Sequence, residues 1–348
     1  MAQPMLTIDG SYGEGGGQIL RSSLTLALVT GRPFRLVNIR AGRKRPGLRP
    51  QHLAAITGAA DICGAQCKGN RENSTELTFV PGSIVSGNYR FAVGTAGSAP
   101  LVLQTLLLPL CLTKGPSSVI VSGGTHVPWS PSFHYLAWQW VPFMKRIGCH
   151  LQLNLRQAGY YPQGGGIIEA ATGGSASLRH LNLLQRGPLR KLRIVSLVSN
   201  LSESIARRQA EQLVRRLRPC GIEPDCEILQ QPGRGRGTAV TVLAECEQSS
   251  LCCSALGAPG KPAERVADEA ADELLALLAT DGAVDPYLAD QLLLPLALTP
   301  ASSSLRTAAV SRHLLTNAWL IGLFLPVTIV IEGVSGQPGM IRVNSSDH

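Results

Sequence analysis

A glycine-rich turn near the start of the chain carries one carboxylate, Glu14, among four glycines. The apolar run at residues 5–8 predicts a strand before this turn, and the periodic apolar run at residues 19–29 predicts a helix after it. Such a turn directs backbone N–H groups at an anion. Glu14 would repel a phosphate, so it suits a divalent cation placed against the phosphate, or a general base. The alternative is a tight turn in which Glu14 is solvated.

A basic loop at residues 40–52 is a second candidate for anion binding. Gly and Pro residues separate its cations and favour a loop over a helix face. The cations are Arg40, Arg43, Lys44, Arg45 and Arg49. Because arginine binds phosphate through paired N–H groups, the loop suits a phosphate-binding surface. A solvated charge run is the alternative.

Two further segments carry polar side chains suited to a nucleoside. Tyr287, Asp290 and Gln291 share one face of a predicted helix, at the spacing i, i+3 and i+4. An aromatic ring, a carboxylate and an amide on one face could stack a base and bind its sugar and edge. An ordinary exposed helix face is the alternative. Gln104 lies on a predicted apolar helix, either as a core amide or as a contact to a base edge.

A histidine, His313, stands at the start of the most apolar segment, residues 314–331. Pro326 divides this segment into a predicted buried helix and a β-branched strand, and each piece is too short to span a bilayer. A lone histidine at a helix start is usually a cap or a core-edge contact. Catalysis is the alternative.

Aromatic residues and prolines crowd residues 128–140. Pro128 and Pro131 predict the entrance to a helix that runs to about residue 147. The aromatic rings could form a stacking wall for a base, although core packing or a subunit contact is the more common role. His126 and His134 have no Cys or acidic partner at ligand spacing, so no metal site is predicted there.

The composition favours a polyanionic partner. The net charge of +9 and a pI near 9.3 suit nucleic acid or a nucleotide, unless the whole proteome is basic. Nine cysteines without a CxxC pair support neither a disulfide framework nor a zinc site and indicate a reducing compartment. Residues 1–4 carry neither the charged nor the apolar region of a signal peptide, so we expect a cytoplasmic protein.

Repeated α/β units organise the chain. The stretch Tyr161-Pro-Gln-Gly-Gly-Gly echoes Tyr12-Gly-Glu-Gly-Gly-Gly, which begins 149 residues earlier. The recurring unit reads as a strand, a glycine turn, a helix, a strand, a helix and a strand pair. The sequence therefore predicts repeated α/β modules rather than one large sheet.

The central part of the chain differs from the rest in amino-acid composition, which predicts an inserted domain. Residues 184–280 are rich in Arg, Glu and Gln, with helices predicted at residues 202–217 and 262–280. At 348 residues the chain is long enough for two domains. The larger domain would then comprise residues 1–183 and 281–348.

Six short motifs occur in a specific order along the chain. They are Asp9-Gly-Ser-Tyr-Gly-Glu14-Gly-Gly-Gly-Gln18-Ile-Leu-Arg21, Ile39-Arg-Ala-Gly-Arg43, Gly47-Leu-Arg-Pro-Gln51-His52, Ser122-Gly-Gly-Thr125, Tyr287-Leu-Ala-Asp290-Gln291 and His313-Leu-Leu-Thr-Asn317. Together they resemble the RNA 3′-terminal phosphate cyclase family over nearly the whole chain. The resemblance implies an α/β (α+β) fold of three tandem βαβαββ repeats like the C-terminal domain of translation initiation factor 3. It also implies a smaller inserted α/β domain.

The resemblance also implies an ATP-dependent reaction in three steps. His313 attacks the α-phosphate of ATP and becomes a covalent histidine–AMP. The AMP then passes to an RNA 3′-phosphate to give RNA(3′)pp(5′)A. Attack by the adjacent 2′-hydroxyl releases AMP and closes a 2′,3′-cyclic phosphate. An imidazole suits this role because it can act first as nucleophile and then as leaving group.

The family's functional residues map onto this chain as follows. The catalytic cations, which act with His313, would be Arg21, Arg40 and Arg43. ATP would contact Glu14, Gln18, Gln104, Pro131, Tyr287, Leu288, Ala289, Asp290 and Gln291. RNA phosphate would contact Arg43, Lys44, Arg45, Gln51 and His52. Glu14 would hold Mg²⁺ or Mn²⁺ on the triphosphate.

Three alternatives stay open at this point. A non-catalytic, cyclase-like RNA-binding or ribosome-assembly factor would share the fold but lack the nucleophilic histidine. A carboxyvinyl transferase built from similar repeats would need no ATP, and a plain RNA-binding scaffold would need neither Glu14 nor His313. Arg312 departs from the small residue that bacterial members carry beside the nucleophile. RNA is the expected partner, no membrane is expected, and a homodimer is one open alternative.

Overall fold

The computed structural model describes residues 4–345, and its first unit covers residues 6–80. This unit contains β1 Leu6–Asp9, α1 Gly17–Thr30, β2 Phe34–Val37, α2 Pro50–Cys63, β3 Gln66–Lys68 and β4 Leu77–Val80. Strand β1 pairs in parallel with β2, and β4 lies antiparallel between β2 and β3. The strand and the helix predicted on either side of Glu14 are thus confirmed. Gly31 ends α1 at a φ of +71°, where most side chains are strained.

The second unit follows the same order of strands and helices. It contains β5 Asn88–Ala92, α3 Ala99–Leu112, β6 Ser117–Gly123, α4 Phe133–Tyr135, a π-helical turn Leu136–Trp140, α5 Val141–Arg146, β7 Leu151–Gln157 and β8 Gly166–Thr172. Its strand order, β5-β6-β8-β7, matches that of the first unit. The helix predicted from Pro131 to about residue 147 is interrupted by the π-helical turn. Pro142, which has no N–H to donate, follows that turn.

A separate four-stranded sheet follows the short strand β9 Asn182–Leu183. This segment contains β10 Leu189–Ser199, α6 Glu203–Leu217, β11 Asp225–Gln230, β12 Gly237–Cys246, β13 Ser250–Leu256 and α7 Ala263–Leu278. The two predicted helices are confirmed to within two residues at each end. Leu192, Val242, Val266 and Leu274 are buried between this sheet and its two helices. The division of the chain at residues 184 and 280 stays a prediction.

The last elements complete a sheet that includes β9. They are α8 Pro286–Ala297, β14 Ser303–Thr307, α9 Arg312–Phe324, β15 Val327–Glu332 and β16 Gly339–Ser345. Strand β9 pairs in parallel with β14, and the sheet order is β15-β16-β14-β9. The predicted helix and strand on either side of Pro326 are confirmed.

Helices from the first two units and from a third, which consists of β9 and the elements from α8 to β16, form the central core. Helix α1 packs against α2, α3 and α9, and α8 packs against α9. Leu103, Leu106 and Leu107 of α3 are fully buried because this helix is apolar on nearly every face. The contact between α1 and α9 brings the first and last units together although their sequences are far apart.

The class predicted from the sequence, mixed α/β, is confirmed by four small sheets with both parallel and antiparallel pairs. The likeness of each repeat to translation initiation factor 3 stays a prediction. Within residues 4–345, every helix is too short or insufficiently apolar to span a lipid bilayer. The expected absence of a signal peptide rests mainly on residues 1–3, which lie outside the described residues.

Candidate active site

The glycine-rich turn between β1 and α1 places Glu14 beside the start of α9. Gly13 and Gly15 both have a φ of +60°, which an L side chain rarely adopts. A Cβ atom on Gly13 would collide with the side chain of Thr316. The Thr316 hydroxyl accepts a hydrogen bond from the Glu14 backbone N–H at 3.1 Å. Gly13 is therefore needed for the close approach of the turn to α9.

The Glu14 carboxylate lies between a cation and the histidine. One oxygen forms an ion pair with the guanidinium of Arg43. The other, Oε2, is 3.8 Å from Nδ1 of His313. The structure thus brings together a residue of the turn, a residue of the basic loop and the first turn of α9, as the sequence predicted for these three side chains.

His313 is oriented by an amide on α1. Ser311 caps α9 by accepting the Leu314 N–H at 3.0 Å, which sets His313 in the first helical turn. Nδ1 of His313 lies 2.6 Å from Oε1 of Gln18. Nε2 of Gln18 donates to Oδ1 of Asp290, also at 2.6 Å. Because the amide nitrogen is used in this way, Gln18 offers His313 an acceptor, and Nδ1 must carry the proton.

The unprotonated ring nitrogen of His313 is therefore Nε2. Burial lowers the pKa of His313, and the positive charges of Arg21 and Arg43 lower it further. Near neutral pH the ring is an uncharged imidazole with a lone pair on Nε2. This is the protonation state that a nucleophilic or basic histidine needs.

A chain of buried hydrogen bonds holds Gln18 on the side away from His313. Asn317 donates to Oδ1 of Asp290 at 2.6 Å, and Ser22 donates to Oδ1 of Asn317 at 2.8 Å. Burial raises the pKa of Asp290 to about 6. The hydrogen bonds from Gln18 and Asn317 and the positive charge of Arg21 lower this pKa and so offset part of the effect of burial. Burial likewise lowers the pKa of Arg21 to about 10, and Asp290 opposes this shift.

Sequence reasoning assigned no role to Asn317 or Ser22. Asn317 follows His313 by four residues and shares its helix face, so the spacing alone could have marked it. Ser22 follows Gln18 by four residues on α1 for the same reason. Polar residues at these positions hold the predicted site in place, and both are buried.

These groups line a cleft of about 1220 Å³. Most of the predicted site residues line it too: Glu14, Gln18, Arg21, Arg40, Arg43, Gln51, His52, Gln104, Pro131, Tyr287, Asp290, Gln291 and His313. Nε2 of Gln104 donates to Oε1 of Gln291 at 3.0 Å, so α3 and α8 present their amides side by side. A volume of this order holds a nucleotide with room for a second substrate.

Comparison with known proteins places the chain in a family. The family model described as RNA 3′-terminal phosphate cyclase matches residues 12–331. A protein of that name from Nostoc punctiforme is 44% identical over 350 residues, which cover 99% of this chain and 97% of the relative. One from Methanopyrus kandleri is 40% identical, with 97% and 98% covered, and one from Ralstonia nicotianae is 44% identical, with 94% of each covered.

The chain belongs to the RNA 3′-terminal phosphate cyclase family. The match includes all of the cleft-lining residues just named, because the earliest is Glu14 and the latest is His313. The family expected from the six motifs is confirmed. Membership supports an enzyme of the cyclase type, a family that uses ATP and RNA.

The basic loop contributes only part of its charge to the cyclase-family cleft. Lys44 and Arg45 line a separate shallow depression rather than the cleft. Arg40, at a φ of +54°, donates through Nη1 to the carbonyls of Arg45 and Gly47, both at 2.9 Å. Lys44 and Arg45 therefore lie outside the cleft, and Arg40 both lines the cleft and holds the loop in its folded shape.

His52 is a neutral group in this setting. It is 2% exposed, and its Nδ1 accepts the Arg49 backbone N–H at 3.0 Å. Burial and the charges of Arg21, Arg40 and Arg49 lower its pKa to about 3. His52 therefore adds no positive charge for a phosphate, and its role in the cleft is that of an uncharged hydrogen-bonding ring.

Two residues predicted to contact ATP, Leu288 and Ala289, are core residues of α8 and are 0% exposed. Their side chains do not line the cleft, because the face of α8 that bears them packs inward. Asp285 caps this helix by accepting the N–H groups of Tyr287 and Leu288. Tyr287 is 54% exposed and presents its ring to the cleft.

Proposed function

We propose that this protein converts an RNA 3′-terminal phosphate to a 2′,3′-cyclic phosphodiester, with ATP consumed through a covalent histidine–AMP. The observation that carries the proposal is the hydrogen bond between His313 and Gln18, which leaves Nε2 free as a nucleophile. A non-catalytic relative would have no need for a neutral histidine held in one tautomer beside cations. Family membership supports the same reaction.

In the first step Nε2 of His313 attacks the α-phosphorus of ATP, and pyrophosphate leaves as the bond to it breaks. The Gln18 carbonyl accepts a hydrogen bond from Nδ1–H throughout and stabilises the positive charge that forms on the ring. In the second step an oxygen of the RNA 3′-phosphate attacks the same phosphorus. The P–N bond breaks, and His313 returns to its neutral form with RNA(3′)pp(5′)A as product.

In the third step the vicinal 2′-hydroxyl attacks the 3′-phosphorus, loses its proton and expels AMP. Nucleotidyl transfer of this kind is mainly positioning and charge stabilisation. The positive charges of Arg21 and Arg43 lower the pKa of His313, and we assign these two arginines to stabilise phosphate oxygens at the reacting centre. We assign Arg40 to the same cationic wall.

Glu14 would be the single protein ligand of a Mg²⁺ or Mn²⁺ ion bound in the cleft. Among the described residues there is no group of three His, Cys, Asp or Glu side chains that could hold a metal ion. Magnesium is commonly held by one or two carboxylates with substrate phosphates completing its shell, and Glu14 at the cleft wall fits that pattern. Such an ion would neutralise charge on the triphosphate.

The adenosine would lie between Tyr287 and Pro131, with the paired amides of Gln104 and Gln291 near its polar edges. Asp290 would hold Gln18 in position, since its Oδ1 accepts hydrogen bonds from Gln18 and Asn317. We place the RNA phosphates against Arg43 and Gln51. A cytoplasmic location, a homodimer and an inserted domain at residues 184–280 remain predictions.

Covalent labelling tests the proposal. Incubation with Mg²⁺ and ATP labelled at the α-phosphate should give a protein-bound, acid-labile label that is absent in His313→Ala. The matched control is His150→Ala, an exposed histidine outside the cleft, which should label like the wild type. A wild type that takes up no label, or a label that survives in His313→Ala, would contradict the proposal.

A further inference from the structure

A tryptophan stands fully in solvent at the wall of the cleft. Trp129 is 100% exposed, although it is the largest apolar side chain the protein could bury. Its backbone has a φ of +64°, a left-handed conformation that is strained for a bulky residue. Strain and exposure at one aromatic residue both cost stability. They therefore point to a binding role rather than to packing.

Hydrogen bonds fix the residues that follow Trp129 and the base of its loop. The hydroxyl of Ser130 hydrogen-bonds that of Ser98, and the hydroxyl of Ser132 lies 3.1 Å from that of Ser254. The Phe133 N–H donates to the Thr125 carbonyl at 2.9 Å, which closes the base of the loop. The ring is thus presented in water by a fixed backbone, and binding to it would cost little ordering of the chain.

Trp129 lines the same cleft as His313. The basic residues Arg40, Arg43 and Arg49 line that cleft as well. A row of arginines beside an exposed aromatic ring is the combination that binds single-stranded nucleic acid, with cations on the phosphates and the ring under a base.

We propose that Trp129 stacks on the nucleobase of the RNA's 3′-terminal nucleotide while its phosphate is held at His313. This inference rests on the proposed function, because it names where the second substrate binds in the same cleft. The adenine of ATP is a less suitable stacking partner for the Trp129 ring. Tyr287 and Pro131 already supply aromatic and apolar surface for it, and both line the cleft together with the paired amides.

Stacking of this kind reads no particular base, because every base has an aromatic face. The wild type should therefore accept all four terminal bases with similar KM values. It should discriminate strongly against an RNA whose terminal nucleotide has no base. Base–aromatic stacking predicts a rise in KM of about five- to hundredfold for the abasic RNA.

The test uses an RNA oligonucleotide that ends in 2-aminopurine nucleotide 3′-phosphate. Stacking on an aromatic ring quenches this fluorophore, so binding to the wild type should reduce its emission without any catalysis. Trp129→Ala should lose the quenching and raise KM for RNA, and Trp129→Phe should keep most of both. Tyr161→Ala is the control, because Tyr161 is 72% exposed and lies outside the cleft lining.

Several results would overturn the inference. Equal RNA binding by the wild type and Trp129→Ala would do so, and so would equal wild-type binding of abasic and normal ends, which requires no variant to fold. A loss of ATP-only labelling in Trp129→Ala would assign the ring to adenine instead. If the wild type quenches the fluorophore but takes up no label from ATP, the proposed function fails and the stacking site stands.

Discussion

Oε1 of Gln18 lies 2.6 Å from Nδ1 of His313, and the two residues are 295 positions apart in the chain. The amide cannot turn over, since its nitrogen donates to Asp290. Asp290 is fixed in turn by Asn317. A polar chain that starts in the buried interior therefore decides which nitrogen of the histidine is a nucleophile.

Gln18→Leu should slow self-adenylylation by about 10- to 100-fold, as loss of an orienting partner usually does. The substitution removes the acceptor for Nδ1, so the ring is free to adopt the wrong tautomer or rotate. Single-turnover labelling with α-labelled ATP measures the rate. Gln152→Leu, a substitution at an exposed residue on β7, is the matched control. Labelling at the wild-type rate in Gln18→Leu would exclude an orienting role.

Glu14→Gln should reduce self-adenylylation on the order of 100-fold while stability hardly changes. The variant keeps the size of the side chain but loses the charge proposed to hold the metal ion. Its ion pair with Arg43 lies at the edge of the cleft, and such partly exposed pairs add little stability. Labelling over a range of Mg²⁺ concentrations and thermal unfolding check the two halves of this prediction. Glu76→Gln, which loses a surface pair with Arg35, is the control.

Self-adenylylation should fall as the pH drops through the lowered pKa of His313, since protonation removes the Nε2 lone pair. Arg43→Ala removes a positive charge that depresses this pKa and frees the carboxylate of Glu14 beside the ring. Both changes favour the protonated ring, so the midpoint of the acid limb should move to higher pH. Rates of labelling between pH 5 and 8 measure the shift.

Arg35→Ala serves as the control for this pH profile, because Arg35 is a surface residue paired with Glu76. The titration of Asp290, whose pKa is about 6, is present in all three proteins and cannot produce a difference between them. An unchanged midpoint in Arg43→Ala, or a shift to lower pH, would contradict the assignment of the acid limb to His313.

Asp290→Asn should change how stability depends on pH. The pKa of Asp290 rises from 3.8 to about 6 on folding, so the native state binds more protons than the unfolded state between these values. The wild type therefore loses stability as pH rises from about 4 to 6, on the order of 2 kcal/mol, and the variant lacks this loss. Oδ1 of the new amide can still accept from Gln18 and Asn317.

Urea unfolding at several pH values between 4 and 7 tests this prediction. The free energy of unfolding of Asp290→Asn relative to the wild type should increase with pH and level off above pH 6. Asp61→Asn, on the exposed side of α2, reports the effect of the same substitution at the surface. Parallel curves for the wild type and Asp290→Asn would show that this carboxyl is not desolvated in the folded protein.

Much of the local structure followed from the sequence. The apolar periodicity of α1, α6, α7 and α9 predicted helices that the structure contains, because burying one face of a helix leaves a clear pattern in the chain. The π-helical turn Leu136–Trp140 was missed, since it depends on how the segment packs and on Pro142. The side chains of Leu288 and Ala289, two predicted ATP contacts, pack into the core rather than into the cleft. Adjacent positions on a helix point to different faces, so a motif does not place all its residues in a site.

The sequence by itself determined the family, the α/β class and a set of candidate side chains most of which line the cleft, because short motifs and hydrophobic spacing are local properties of the chain. Only the tertiary structure decided the protonation of His313 and His52 and the exposure of Trp129. Those properties depend on which distant groups surround a side chain and exclude water from it. The close packing of α1 against α9 brings such groups together, and no local pattern records that contact.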